Sequence, residues 1–194
     1  MGINIILGRQ GSGKTLFLIK KAWEYYKQGR TVYSNVHLTF PYKKLDYNDI
    51  INCKLESGIV IIDEIHLLLS ARNSMSKRSR VITDNFISQL RKRDISLFCT
   101  SQTLRKIDVK IRDECDFLYY CDKFAYINNT WVNVMHNQNL NKNIKIMITL
   151  EVQEMFSMNT TKIFFIGNEY FNKYDTSQII KIEDIDVKNL ESKK

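Results

Sequence analysis

Five short apolar runs punctuate the first two thirds of the chain: Ile3–Leu7, Thr31–Val36, Gly58–Ile62, Ile95–Thr100 and Phe117–Cys121. Each is free of charged residues and rich in aliphatic, β-branched or aromatic ones, the pattern of strands buried on both faces. Between them the period changes. Leu16, Ile19, Ala22, Trp23 and Tyr26 recur at helical spacing and predict a helix over 14–28, with Gly29 placed to cap its end. Ile82, Phe86 and Leu90 predict a second helix from about Asp84, a plausible N-cap, to Arg93. Strands alternating with helices predict an α/β domain built on a parallel sheet. Beyond residue 122 the grammar differs. Ile144, Ile146, Ile148, Leu150 and Val152 alternate strictly with Lys145, Met147, Thr149, Glu151 and Gln153, as in a half-buried antiparallel strand. Trp131–His136, across 138–143, is its expected hairpin mate, and Lys162–Ile166 is one more strand, closed by Gly167-Asn168.

The expected organisation is one domain over 1–182, with an antiparallel extension from about 124 and a charged tail over 183–194. Pro41, the only proline, marks a loop. Residues 42–57 are weakly periodic and predict a short helix near 46–51. There are no internal repeats.

The chemistry concentrates after the first apolar run. Gly8-Arg9-Gln10-Gly11-Ser12-Gly13-Lys14-Thr15 fits G-x-x-x-x-G-K-[ST] in the required setting, a strand before it and an amphipathic helix after. Glycines in this loop let its N–H groups turn toward phosphate oxygens, with the positive helix end behind them. Lys14 would reach β- and γ-phosphates, and Thr15 would place a hydroxyl on Mg²⁺. A turn that merely joined strand to helix would need neither. The third apolar run ends in Asp63-Glu64. At the carboxyl end of a buried strand facing such a loop, Asp63 can hold the Mg²⁺ shell and Glu64 can take the proton of a water attacking the γ-phosphate. The same two acids can also cap Ile65–Leu69, and the two roles are compatible. Gln102 ends the fourth run, within reach of a γ-phosphate if the third and fourth strands are neighbours, or else capping the next turn.

Charge adds a partner. Residues 72–112 hold eleven Lys/Arg against three Asp, an excess equal to the net charge of +8 carried by the whole chain. A solvated basic face is the ordinary meaning of one such cluster. Coinciding with the catalytic half, it favours a polyanion, above all nucleic acid. Residues 72–80, with Lys77, Arg78 and Arg80, lack apolar periodicity and read as an exposed basic loop or a nucleic-acid contact. The four cysteines (Cys53, Cys99, Cys115, Cys121) have no C-x-x-C spacing and read as core thiols; three scattered histidines give little support to a zinc site. No apolar run reaches the roughly 18 residues of a membrane span, and the start lacks a signal-peptide pattern, so the expectation is a soluble intracellular protein.

Gly8–Thr15, the Asp63-Glu64 strand end, Arg91-Lys92-Arg93 before a strand, Gln102 at its end and Arg105–Arg112 together resemble the FtsK/HerA superfamily of ATP-driven DNA motors. In size the chain is similar to viral genome-packaging ATPases, of the type found in archaeal turreted icosahedral viruses. Tyr174-Asp175-Thr176 also resembles the close of the zonula-occludens-toxin-type ATPases that assemble filamentous phages. Those usually continue into a membrane segment, which makes packaging the expectation here. The resemblance implies a RecA-like P-loop fold with parallel strand order 5-1-4-3-2, a homo-oligomeric ring such as a hexamer, and ATP hydrolysis at subunit interfaces. It further implies double-stranded DNA as substrate, capsid or portal-vertex proteins as partners, and a place in the host cytoplasm at the assembling virion. Lys14, Thr15, Asp63, Glu64 and Gln102 map as phosphate lysine, Mg²⁺ ligands, catalytic glutamate and sensor. Arg91, Arg93 and Arg112 are all candidates for an arginine acting in a neighbour's site, Arg93 first because it directly precedes the sensor strand.

Three other functions fit parts of the pattern. The phosphate loop also suits a small nucleotide kinase, which needs an arginine lid and an acceptor pocket. Asp63-Glu64-Ile65-His66 matches an RNA-helicase box, but such helicases need two RecA-like domains. A nucleotide-gated scaffold would bind ATP without turnover.

Overall fold

A computed structural model describes residues 2–45, 50, 55–67, 77–134 and 144–175. The expected helix near 46–51, residues 72–76 of the basic loop, Cys53, His136, Thr176 and the tail lie outside these residues, all but Ile50 of that helix. The elements in chain order are β1 (Ile3–Leu7), α1 (Lys14–Lys27), β2 (Thr31–Ser34), β3 (Lys43–Lys44) and β4 (Gly58–Ile62), then α2 (Lys77–Lys92), β5 (Ile95–Ser101), α3 (Val109–Asp113), β6 (Phe117–Ile127), β7 (Thr130–Asn133), β8 (Ile146–Glu154) and β9 (Thr160–Ile166). One nine-stranded sheet runs β3-β2-β4-β5-β1-β6-β8-β9, with β7 paired to β6. Its parallel part, read from β6 to β2, has the 5-1-4-3-2 order expected of the five apolar runs.

Side-chain alternation sends the parallel strands into two cores. Ile3, Ile5, Leu7, Val60, Ile62, Leu97 and Cys99 meet Phe86, Ile87 and Leu90 of α2 and Ile111 of α3 on one face. Ile6, Ile59, Ile61 and Phe98 meet Leu16, Phe17, Ile19 and Ala22 of α1 on the other. Both faces are covered, so every residue of β1, β4 and β5 is buried and most are apolar.

Two expectations are corrected. The mate of β8 is not Trp131–His136 but β6, in an antiparallel register from Phe117↔Glu154 to Ala125↔Ile146; Thr130–Asn133 pairs with the far end of β6 instead. The fifth strand continues straight out of the parallel sheet, because its edge beyond β1 is open and β8 satisfies those backbone groups over nine residue pairs. Second, α2 begins at Lys77, so Lys77, Arg78 and Arg80 are helical rather than looped, and Asp84 lies inside the helix instead of capping it. Arg, Lys and Ser propagate a helix without apolar periodicity.

Candidate nucleotide site

The site forms where polar residues end the parallel strands on one edge of the sheet. Gly8–Thr15 joins β1 to α1, and Gly13 adopts φ 96°. A Cβ there would stand 2.3 Å from Cδ1 of Ile148 on β8, so both the backbone and the space demand glycine. The loop thus rests directly on the antiparallel extension. Lys14 is buried, and its Nζ donates to the Gly8 and Arg9 carbonyls at 2.9 and 3.1 Å. Ser12 is buried as well, and its hydroxyl lacks a hydrogen-bond partner among the described residues.

Asp63 and Glu64 follow β4, where the resemblance placed them. Thr15 Oγ1 donates to Asp63 Oδ2 at 2.9 Å, and Thr100 Oγ1 donates to Oδ1 at 2.6 Å. The Asp63 peptide is clamped by Asn35, whose amide donates to its carbonyl at 2.9 Å and whose Oδ1 accepts its N–H at 2.8 Å. Thr100 Oγ1 also accepts the Glu64 N–H at 2.8 Å, holding Glu64 in a left-handed conformation (φ 52°) that only a well-braced non-glycine residue sustains. Glu64 Oε2 lies 3.2 Å from His66 Nδ1, yet both atoms are buried without a well-aligned hydrogen bond. Tyr174 packs into the α1-side core. Burial first, and the Asp63 charge second, push its phenol up to about 12.

Strands β4 and β5 are neighbours, and Leu7 is level with Ser101. Gln102, the next residue, therefore stands between the loop and the Asp63-Glu64 corner. The structure brings Gly8–Thr15, Asp63, Glu64 and Gln102 to one edge. The arginines are elsewhere. Arg93 precedes β5 at its opposite end, a strand length of roughly 20 Å away, and donates to the Leu55 carbonyl at 2.9 Å and Gln89 Oε1 at 3.0 Å. Arg91, near the end of α2, pairs with Glu114 at 2.8 Å. Arg112 lies on α3 shortly before Asp116, which is level with Ile3 at the start of β1, and its Nε is buried without a hydrogen-bond partner among the described residues. None of the three enters the site of its own subunit. Lys77, Arg78 and Arg80 begin α2, the crossover helix between parallel strands β4 and β5, and so return to the site's edge.

Sequence reasoning missed Asn35, Thr100, His66 and Tyr174 as members of this cluster. The signal for the first two is positional: each is the polar residue at the end of an apolar parallel strand, as Asp63 is.

What the donors can hold follows from their chemistry. A threonine hydroxyl and a carboxylate oxygen 2.9 Å apart are hard oxygen ligands suited to Mg²⁺. Among the described residues no group of three or more His, Cys, Asp or Glu could hold a metal by itself. The free thiols Cys99, Cys115 and Cys121 are buried, and burial raises all three. No helix among the described residues is long and apolar enough to cross a membrane.

A family model described as the ATPase family associated with various cellular activities (AAA) matches residues 4–123. No curated protein matches the chain in sequence. Among solved structures it is similar to the N-terminal domain of zonular occludens toxin from Neisseria meningitidis (16% identity, TM-score 0.55, covering 90% of this chain and 98% of that one). It is similar too to the genome packaging NTPase of Sulfolobus turreted icosahedral virus 2 in complex with ATP-gammaS (12% identity, TM-score 0.53, 83% and 96% covered). A DnaB-like replicative helicase shares 12% identity at TM-score 0.53, over 84% of this chain and 54% of that one. At such identities the likeness is one of fold.

Proposed function

The chain belongs to the AAA family of ATPases, and from that premise we propose that it is an ATP-driven translocase of double-stranded DNA, of the kind that packages a viral genome into a preformed capsid. ATP is the nucleotide an ATPase of this family hydrolyses. Lys14 leaves the loop carbonyls to hold the β- and γ-phosphates with the loop N–H groups, and Thr15 and Asp63 hold Mg²⁺, which screens the phosphate charge. Glu64 takes a proton from water as its oxygen attacks the γ-phosphorus; the bond to the β-bridging oxygen breaks and ADP leaves. Gln102 senses the γ-phosphate.

One observation supports DNA as the partner: residues 72–112, a stretch that includes the crossover to the sensor strand and runs just past Gln102, hold a positive excess equal to the net charge of +8 carried by the whole chain. Three of these cations, Lys77, Arg78 and Arg80, occupy the first turn of α2, which has no acidic residue. The helix dipole disfavours cations there. A phosphate backbone would reverse that cost.

The test is turnover with and without double-stranded DNA, together with the salt dependence of binding. DNA should stimulate hydrolysis, and neutralising Lys77, Arg78 and Arg80 together should flatten the log–log salt slope by up to about 3 if all three touch phosphate. DNA-independent turnover and an unchanged slope would return the block to a solvated face. A ring is part of this reading, with a neighbour supplying Arg93, Arg91 or Arg112, an addition typically worth about 10³ to 10⁵ in turnover. Mixing inactive Arg93→Ala subunits with inactive Lys14→Ala subunits should restore activity if Arg93 acts across the interface. No recovery in demonstrated mixed rings would pass the role to Arg91 or Arg112.

A second reading, a filamentous-phage assembly ATPase, draws support from the zonular occludens toxin domain, whose likeness spans 90% of this chain. Turnover indifferent to double-stranded DNA would favour it.

A further inference from the structure

Glu64 enters the site on a left-handed backbone, with its N–H accepted by the Thr100 hydroxyl and its carbonyl taking the Leu67 N–H at 2.9 Å. Its main chain is therefore fixed from both sides. A 3-10 turn, Ile65–Leu67, follows, rooted by Ile65, which is fully buried in the α2-side core. From that root the His66 imidazole comes back to the carboxylate, its Nδ1 3.2 Å from Glu64 Oε2. The two atoms are complementary: Oε2 accepts and a protonated Nδ1 donates. Both are buried, and among the described residues neither has another partner, although His66 keeps 22% of its side chain in solvent and Glu64 24%. A buried carboxylate oxygen with nothing to accept from is costly, and an apolar residue at position 66 would fill the same space with no polar atom to satisfy. Packing alone does not call for histidine here. The contact is close but poorly aligned, as catalytic hydrogen bonds often are before substrate arrives. Oε1, by contrast, is not among the buried unpartnered atoms, so one carboxylate oxygen is enclosed against His66 and the other is left for the reaction.

We propose that His66 is a positioning residue for Glu64: its Nδ1–H donates to Oε2 and fixes the carboxylate with Oε1 toward the attacking water. The proton from water goes to Oε1 and the imidazole keeps its own, so His66 aims the base without joining the transfer. This rests on the ATPase reading and adds to it the group that orients the base. A base oriented in turn by a third group is the arrangement that recurs wherever a weak nucleophile must be activated. Thr100 holds the backbone of Glu64 from β5, and His66 holds its side chain from the turn after β4.

The experiment compares steady-state turnover with calorimetric ATP titration across substitutions at position 66. His66→Ala should lower kcat by about 10²-fold, the cost of misplacing a reacting group by about 1 Å, and leave ATP affinity unchanged. His66→Asn, whose amide can place an N–H where Nδ1 stood, should recover most of that loss, whereas His66→Gln, whose amide reaches past that point, should not. The Glu64→Gln background separates positioning from damage. With no base left to aim, adding His66→Ala should cost nothing further in residual kcat, while general disturbance of the site would multiply the two losses. Full turnover in His66→Ala, equal losses in His66→Asn and His66→Ala, or multiplied losses in the double variant would overturn the assignment and leave the ATPase reading standing. Absence of turnover in the unmodified protein, despite ATP binding, would overturn that reading and the assignment with it.

Discussion

The two halves of the sheet, parallel β2-β4-β5-β1 and antiparallel β6-β7-β8-β9, are made of similar residues but buried differently. In the parallel half every residue of β1, β4 and β5 is buried, between α1 on one face and α2 and α3 on the other. In the antiparallel half burial alternates: Ile148, Leu150 and Phe165 turn toward α1, whereas Tyr120, Tyr126, Trp131 and Phe164 remain exposed. A sheet covered on both faces holds the polar groups at its strand ends with little freedom, which is what the Thr15–Asp63–Thr100 cluster needs. A one-sided sheet leaves side chains free to meet a ligand or partner. The halves share β6 and touch at Gly13 and Ile148.

The largest expected effect tests the parallel half alone. Glu64→Gln should lower turnover by about 10²- to 10⁴-fold with ATP binding retained, because the amide keeps the shape but cannot take a proton. Lys14→Ala should instead weaken binding. Single-turnover assays beside nucleotide titration separate the two, and near-normal hydrolysis by Glu64→Gln would remove its catalytic role.

The seam comes next. Gly13→Ala must place a Cβ 2.3 Å from Ile148 Cδ1 at a positive φ, a combination of overpacking and backbone strain that should cost about 2–5 kcal/mol. If the clash with the extension carries part of that cost, adding Ile148→Ala should relieve it, and the double-mutant cycle should be non-additive by more than about 0.5 kcal/mol. Strict additivity in denaturant melts would mean that the loop and the extension are independent.

A smaller effect tests β6 and its surroundings by pH. Burial pushes Cys115 up to about 11 and Tyr119, Cys121 and Tyr174 to about 12. Unfolded thiols and phenols titrate near 8.5 and 10, so above about pH 8.5 the unfolded chain binds fewer protons than the folded one. Stability is then full below that pH and falls as pH rises toward the folded values. Urea midpoints at pH 7 and pH 10.5 measure this; equal midpoints would contradict the burial of these groups.

The smallest effect belongs to the open face. Phe164 is 73% exposed, so Phe164→Thr should change stability by no more than about 0.5 kcal/mol. Phe98 in the covered half is 6% exposed, and Phe98→Ala should cost about 3–5 kcal/mol. Comparable losses from the two would erase the distinction between the halves.

Much of this could be read from the chain alone, and the boundary between what could and could not has a physical basis. The phosphate loop, the Asp63-Glu64 strand end and the five parallel strands were legible because each is local: a short run of residues carries both its backbone preference and its chemistry. Strand pairing beyond residue 122 was not, since the alternation in β8 specifies one buried face but not which strand lies beside it. The start of α2 escaped for the opposite reason, a helical turn of cations and serine that has no apolar period to announce it.

By itself, then, the sequence determined a phosphate-loop motif, an Asp63-Glu64 strand end, a parallel α/β sheet and a basic block. Only the tertiary structure decided that Asn35 and Thr100 brace Asp63 and that Ile148 backs Gly13. It also divided the basic block. Crossover helix α2 starts at the edge of the sheet where the site lies and ends at the other, so Lys77–Arg80 return to the site while Arg91 and Arg93 are carried a strand length away. These are long-range contacts between residues tens of positions apart, and each depends on which strands the sheet sets side by side.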